Sequence, residues 1–385
     1  MPPVCYLVGG TVRDAGLGRE RSQFDLDLVV PHGAIAVARK LARQYQAGFV
    51  TLDAEREIAR VVFAEGTVDF ARQEGDSLTQ DLKRRDYTIN AIAYDLQQKI
   101  LIDPLGGQDD LQAQVLRAIS FENLQADPLR LLRAYRQAAQ LGFSIEPTTR
   151  SWLQHLSGAL AQVAAERVQA ELNYLLDCPV GTPWLEAAIS DGVLTSWLGA
   201  VSSTQLAQLR LVDTQYRQQS RRWSAFSENP GWVFSAKLAA LLAPEADSAI
   251  RTLQTLKYAR AEIKAIGSAL KHLPSLRREL DLTEQYFLFR GLGNYFPIAA
   301  LLMPMSNLPT GETLLQRYFD PTDPVVHPRP LVTGHDLLQA LPLKRGPLIG
   351  ELLTAIQIAQ INGKLHSPED AIAFGVEYLD QNPTQ

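Results

Sequence analysis

The most constraining stretch of the chain runs from Tyr6 to Val30, YLVGGTVRDAGLGRERSQFDLDLVV. A short apolar run, Val4 to Val8, is cut off by Gly9 and Gly10, and reads as a buried strand ending in a turn. At the far end, Asp25-Leu26-Asp27-Leu28-Val29-Val30 interleaves carboxylates with apolar residues. Strand residues two apart share a face, so Asp25 and Asp27 project side by side. Adjacent carboxylates repel unless a cation lies between them, and an all-oxygen ligand pair suits Mg²⁺. A glycine turn leading to a Mg²⁺-binding strand points to nucleoside triphosphate chemistry. In that reading Gly9 and Gly10 let backbone N–H groups approach phosphate, and Arg13 pairs with it. A lone Gly-Gly before an arginine is otherwise an ordinary turn, so the inference leans on the aspartates.

Asp25 and Asp27 would hold two metal ions, one activating an attacking hydroxyl and one binding the triphosphate. A third carboxylate on a neighbouring strand would complete such a site. Asp69, in VDFAR, is the candidate; the alternative is a strand-end aspartate with no chemical role. Arg84-Arg85-Asp86-Tyr87-Thr88-Ile89-Asn90 follows. Arginine suits phosphate, and Asp86 and Asn90 suit a ribose hydroxyl, although a capped surface helix would look the same.

Asp127 to Gln140, DPLRLLRAYRQAAQ, reads as an amphipathic helix. Leu131, Leu132, Tyr135, Ala138 and Ala139 fall on one face, and Asp127, Arg130, Arg133 and Arg136 spiral across the other. Asp127 and Arg130, three apart, form either a surface ion pair of little energetic weight or a base reader. A carboxylate accepts from the exocyclic amino group of cytosine or adenine while an arginine donates to the ring acceptor beside it. Uracil and guanine present a carbonyl at that place and are refused.

Length and composition bound the rest. The 385 residues suffice for two or more domains, and the balance of 46% hydrophobic and 21% charged residues is that of a soluble globular protein. No run reaches membrane-span length, and no signal peptide is expected. Cys5 and Cys178 form no CxxC pair, so they read as buried thiols in a reducing cytoplasm. The net charge of −5 hides a local excess: Val201 to Arg290 carries 13 Lys and Arg against 8 Asp and Glu. That excess fits either a nucleic-acid footprint on one face or a set of solvated helix faces. Helix-period pattern mixes with short strands up to about residue 120; helices at Gly33–Gln46, with Ala34, Ile35, Ala38, Leu41, Ala42 and Tyr45 inward, and strands at Ile58–Phe63, Val68–Ala71 and Lys99–Ile102 are expected. DPLGGQDDL, Asp103 to Leu111, reads as a turn capping a helix. From Asp127 onward the chain reads as helix after helix, with a proline-rich linker at Asp320–Pro330, and the fold class is α+β.

Taken together, LVGGTVRD, DLDLVV, DLKRRDYTINAIAYD, IDPLGGQDDL, DPLRLLRAYR, ERVQAELNYLL and the tail segment LPLKRGPLIGELL resemble class II tRNA nucleotidyltransferases. That family comprises the CCA-adding enzymes and bacterial poly(A) polymerases of the DNA polymerase β superfamily, and the likeness covers nearly the whole chain. The resemblance implies a polymerase β-like head over residues 1–120 and a helical neck with base recognition over 121–215. It also implies a tRNA-binding helical body over 216–320 and a helical tail over 321–385. It implies Gly10 and Arg13 at the triphosphate, Asp25 and Asp27 as Mg²⁺ ligands and Arg85 near the nucleotide. Asp127 and Arg130 would then be the amino-acid template, supported by Arg133 and Arg136. The implied reaction is attack of the tRNA 3′-hydroxyl on the α-phosphate of CTP or ATP with no nucleic-acid template.

Three departures from the family pattern stand out. Ala126 replaces the glutamate usual before the template aspartate, and the connector from Gly10 to Asp25 is longer than usual. Only fourteen residues, Phe70 to Lys83, separate Asp69 from Arg84. Relatives that add the terminal A carry a longer loop there, so the resemblance implies an enzyme that stops after CC. A complete CCA-adding enzyme, an A-adding enzyme or a poly(A) polymerase are the alternatives within the family. Outside it stand a non-catalytic RNA-binding relative and a metal-dependent phosphohydrolase. The scattered histidines disfavour the latter, with His335-Asp336 read as a helix cap.

Overall fold

Alternation along β2 (Phe24–Val30) decides the architecture of the head. In the computed structural model, which describes residues 4–19, 23–305 and 311–381, Leu28 and Val30 turn to one side of the sheet with Leu26 behind them. Asp25, Asp27 and Val29 turn to the other. Residues 20–22 of the opening stretch lie outside the described residues. Around β2 are β1 (Tyr6–Val8), β3 (Gly48–Asp53), β4 (Ile58–Val62), β5 (Gly66–Arg72), β6 (Ala93–Asp95) and β7 (Ile100–Ile102). They form one sheet in the order β3-β4-β5-β2-β1-β6-β7, with β2 and β5 parallel and the other neighbours antiparallel.

One face is apolar: Leu28, Val30, Ala59, Val61, Val68 and Phe70 pack on Ala34, Ala38 and Ala42 of α2 (Ala34–Tyr45), which follows the short α1 (Gly10–Gly16). Each large side chain buried there contributes about 1.5–3 kcal/mol, more than the whole ~1 kcal/mol span of β-propensity, so burial sets the register. The alanines at i, i+4 and i+8 let the helix lie close to the strands. Tyr45, expected inward, is 61% exposed because it closes the last turn beyond the sheet, and its ring meets only the edge of Phe63. The turn at Asp103 is as expected: its carboxylate accepts from the N–H groups of Gly107 and Gln108, at 2.9 and 2.8 Å, and starts the helix Gly107–Ala113 (α4). Between them lies α3 (Leu78–Lys83).

The helix expected from Asp127 begins later. Here α5 (Phe121–Ala126) ends, Asp127 is extended with φ −134°, and α6 (Leu129–Leu141) starts after Pro128. Proline excludes the helical conformation from the residue before it, which puts Asp127 in the turn rather than on the helix wheel. Leu131, Leu132, Tyr135, Ala138 and Ala139 are all buried as the pattern requires. They are covered by α7 (Pro147–His155), α8 (Ala165–Asp177), α9 (Thr182–Ser190) and the connections between them. One strand remains in this region, Ser144–Ile145, paired parallel with Val115–Leu116.

The chain divides into two compact units, Met1–Ala200 and Val201–Gln385. The second has helices as its only regular elements among its described residues, and the non-helical, proline-rich stretch 320–330 lies inside it. Twelve of the thirteen basic residues between Val201 and Arg290 are exposed; the thirteenth, Lys237, is buried and paired with Asp213 at 2.9 Å. The His335-Asp336 pair behaves as a cap: Asp336 completes a capping box with Thr333 at the helix Gly334–Ala340. Cys178 is buried, and burial pushes the half-buried Cys5 thiol up to about 11.

The neck depends on one buried carboxylate. Asp191 accepts from Tyr135 Oη at 2.8 Å, Arg150 Nε at 2.7 Å and Gln154 Nε2 at 2.7 Å. Burial alone would raise its pKa, but these donors outweigh it and hold the carboxyl below its usual range. Asp191→Ala is therefore expected to destabilise the first unit by about 2–4 kcal/mol in urea titrations at pH 7, leaving Tyr135 and Arg150 without a partner. The gap between variant and parent should close as pH falls below about 4, where the unfolded aspartate and then the folded one take up protons.

Candidate active site

The face of the sheet opposite α2 carries a row of charge. Arg60 on β4 is in register with Asp69 on β5, and Asp69 is in register with Asp27 on β2. Asp25 lies one pleat away, opposite Thr67, whose hydroxyl donates to its Oδ1 at 2.6 Å. The expected trio of carboxylates is thus gathered on one face, but not equivalently. Both oxygens of Asp69 are taken by Arg60, Nε to Oδ1 at 2.7 Å and Nη2 to Oδ2 at 2.8 Å. Asp27 opens onto solvent, yet the protein around it withholds part of its hydration and pushes its pKa up. Asp25 and Asp69 push the same way, against the pull of Arg85 and Arg60.

Asp25 and Asp27 border a cavity of about 260 Å³ that Gly9, Gly10, Arg13 and Arg85 also line. Gly9 has φ +73°, and a Cβ there would lie 3.2 Å from Asp27 Oδ2 and 3.6 Å from Arg85 Nη1. Only glycine supplies both that backbone conformation and the clearance. Asp86, Asn90, Arg133 and Arg136 complete the wall with two residues the sequence reading passed over, Thr11 and Gln137. Asn90 is the knot of this wall: its Oδ1 accepts from Arg13 Nη1 at 2.9 Å, and its Nδ2 donates to Asp86 Oδ1 at 3.0 Å and Gln137 Oε1 at 2.9 Å. Burial would raise the pKa of Asp86, but Arg133 at 3.0 Å, Asn90 and the N–H of Tyr87 hold it low and ionised. Asp86 and Asn90 therefore orient arginines as much as they face a ligand. Arg85 Nε and Arg133 Nε are buried with no hydrogen-bond partner in the protein.

Asp127 and Arg130 do not pair with each other. The Asp127 carboxylate accepts from Arg167 Nη2 at 3.2 Å, and Arg130 Nη1 donates to the carbonyls of Arg84, Arg85 and Asn123 at 2.9, 3.2 and 3.1 Å. Neither borders the cavity, whereas Arg133 and Arg136, one and two turns on, do. Arg136 is held by Glu171 of α8 and by Gln140.

Three family models match the chain: the poly A polymerase head domain over residues 5–117, the probable RNA and SrmB-binding site of polymerase A over 142–202, and a tRNA nucleotidyltransferase domain 2 over 227–374. The CC-adding tRNA nucleotidyltransferase of Synechocystis is 45% identical over 392 residues, covering 98% of this chain and 94% of the relative. The chain belongs to the tRNA nucleotidyltransferase family. A CC-adding member from Geobacter sulfurreducens is 33% identical across 95% of the chain and 90% of its own length. An A-adding member from Deinococcus radiodurans is 30% identical across 99% and 97%. A solved CCA-adding enzyme with CTP shares the fold at a TM-score of 0.80 and 23% identity, over 100% of this chain and 92% of the other.

Membership of this nucleotidyltransferase family implies dependence on a divalent cation. The residues fit one: the donors are carboxylate oxygens, as a hard cation requires, and their mutual repulsion is what such a charge relieves. The short segment Phe70 to Lys83 is tied down. Asp81, fully buried, accepts from the N–H of Glu74 at 3.0 Å, from Arg84 Nη2 at 3.0 Å and from Arg85 Nη2 at 3.2 Å. Because the ionised Asp27 costs stability, Asp27→Asn is expected to abolish nucleotide incorporation while leaving the metal-free melting temperature unchanged or higher. Differential scanning fluorimetry beside the incorporation assay checks this, and a lower melting temperature would contradict the repulsion.

Proposed function

We propose that the protein adds two cytidylates to the 3′ end of tRNA from CTP, releasing pyrophosphate at each step and stopping before the terminal A. The observation that carries this reading is the pairing of an intact carboxylate and arginine cavity with a fourteen-residue segment after Asp69 that is closed on Asp81. Full-length kinship with two CC-adding enzymes supports the same end point.

The tRNA 3′-hydroxyl attacks the α-phosphate of CTP, and the bond to the β-phosphate breaks. Asp25 and Asp27 would hold Mg²⁺, which would lower the pKa of the attacking hydroxyl and screen the triphosphate. Gly9 and Gly10 admit the phosphates close to the backbone, and Arg13 and Arg85 face them across the cavity. Both are held from behind, Arg13 by Asn90 and Asp14 and Arg85 by Asp81, so each meets the phosphates already oriented. Asp69 balances charge beside the pair. Asp127 reads the base from the turn before α6, with Arg130 bracing that turn; Arg133 and Arg136 support phosphate and template. The exposed basic residues of the second unit supply backbone contacts to the tRNA, which would be salt-sensitive. A tRNA substrate and two unpaired cysteines support work in the cytoplasm.

A tRNA transcript lacking its last three nucleotides discriminates the readings. With CTP alone it should gain two residues, and ATP should add nothing further; a product ending in CCA would establish the complete activity instead. Asp127→Ala should relax the choice of CTP over UTP by roughly tenfold or more in kcat/KM ratios, a good base contact being worth about 1–3 kcal/mol.

A further inference from the structure

Arg60 holds the carboxylate that could otherwise be the third metal ligand. We propose that Arg60 is a positioning residue that keeps Asp69 out of direct ligation, leaving Asp25 and Asp27 as the carboxylates of this face open to the cation among the described residues. This rests on the reading of Asp25 and Asp27 as metal ligands.

The geometry is specific. Asp69 lies between Arg60 on one neighbouring strand and Asp27 on the other, in register with both. The guanidinium meets it edge-on with two parallel bonds of 2.7 and 2.8 Å, the arrangement that restricts a carboxylate most in orientation. Partly exposed ion pairs of this kind contribute little in isolation. Here the alternative is a third negative charge facing two others, so the pair persists by relieving that repulsion. Among the described residues, no group of three or more carboxylate, histidine or cysteine side chains is arranged to hold a metal ion. A site with two carboxylates binds a divalent cation weakly by itself, and the triphosphate oxygens complete the shell. The cation would then arrive with the nucleotide and leave with pyrophosphate.

Mn²⁺ binding to the full chain without nucleotide, read by loss of the free-ion EPR signal, tests this. Arg60→Gln should tighten Mn²⁺ about tenfold, because ligand charge count sets affinity, and Arg60→Lys, which keeps the charge but cannot fork, should tighten it less. Asp69→Asn alone should change binding by less than about twofold, and in the double variant the gain from Arg60→Gln should vanish. Unchanged or weaker binding in Arg60→Gln would overturn the proposal. So would a gain that survives in the double variant, since loss of a positive charge alone would then explain it, and so would an Asp69→Asn effect as large as that of Asp27→Asn. The Asp25→Asn/Asp27→Asn variant tests the underlying metal reading separately: undiminished Mn²⁺ binding there would remove that reading. Melting curves on each variant exclude unfolding, and Arg60→Lys decides the matter if Arg60→Gln does not fold.

Discussion

Three carboxylates on one face of a β-sheet repel one another, and the head is arranged around that cost. The aspartates sit on β2 and β5, whose parallel pairing sets Asp27 beside Asp69. Arg60 answers from one side and Arg85 from the other, the first by a fork and the second by its field at Asp27. Arg85 is in turn fixed by Asp81, and Arg133 by Asp86, so each cation at the cavity has a carboxylate behind it. Positive charge held in this way needs little reorganisation when a triphosphate enters, which is what electrostatic preorganisation requires. The apolar face pays for none of this and simply keeps the strands in register against α2.

Much of the head was legible because strand periodicity is unambiguous: the alternation in DLDLVV predicts both the buried face and the projecting pair. Arg60 carried the same signal, standing between buried Ala59 and Val61, but an arginine among apolar residues has no chemistry of its own until a partner is known. Gln137 was hidden differently. It sits among Arg133, Arg136 and Gln140 on the polar half of its helix, and only the fold reveals that Asn90 needs its oxygen. Asp81 is three residues before an arginine pair, which reads as a surface helix salt bridge; its complete burial depends on how the short segment folds back.

The neck shows where helical spacing misled. Pro128 ends one helix and starts the next, so Asp127 lies in a turn and its i, i+3 relation to Arg130 brings no contact between the two side chains. Arg130 instead binds the backbone carbonyls of Arg84 and Arg85. The turn that carries Asp127 is thereby fastened to the segment that supplies Arg85 to the cavity. Arg167 holds the Asp127 carboxylate from α8, and Ala126 beside it offers no side-chain partner.

The register of β5 against β2 has an evolutionary reading. A single-residue insertion or deletion within β5 would exchange Asp69 for Phe70, sending a charge into the α2-facing core and an aromatic ring toward the carboxylates. Folding and chemistry would fail in the same event, so no intermediate with a sound core and a damaged site is accessible by that route. Length variation that spares the register is left to the segment after β5, provided that Asp81 still reaches Arg85. Members of such a family can differ in where they stop while sharing one unaltered sheet.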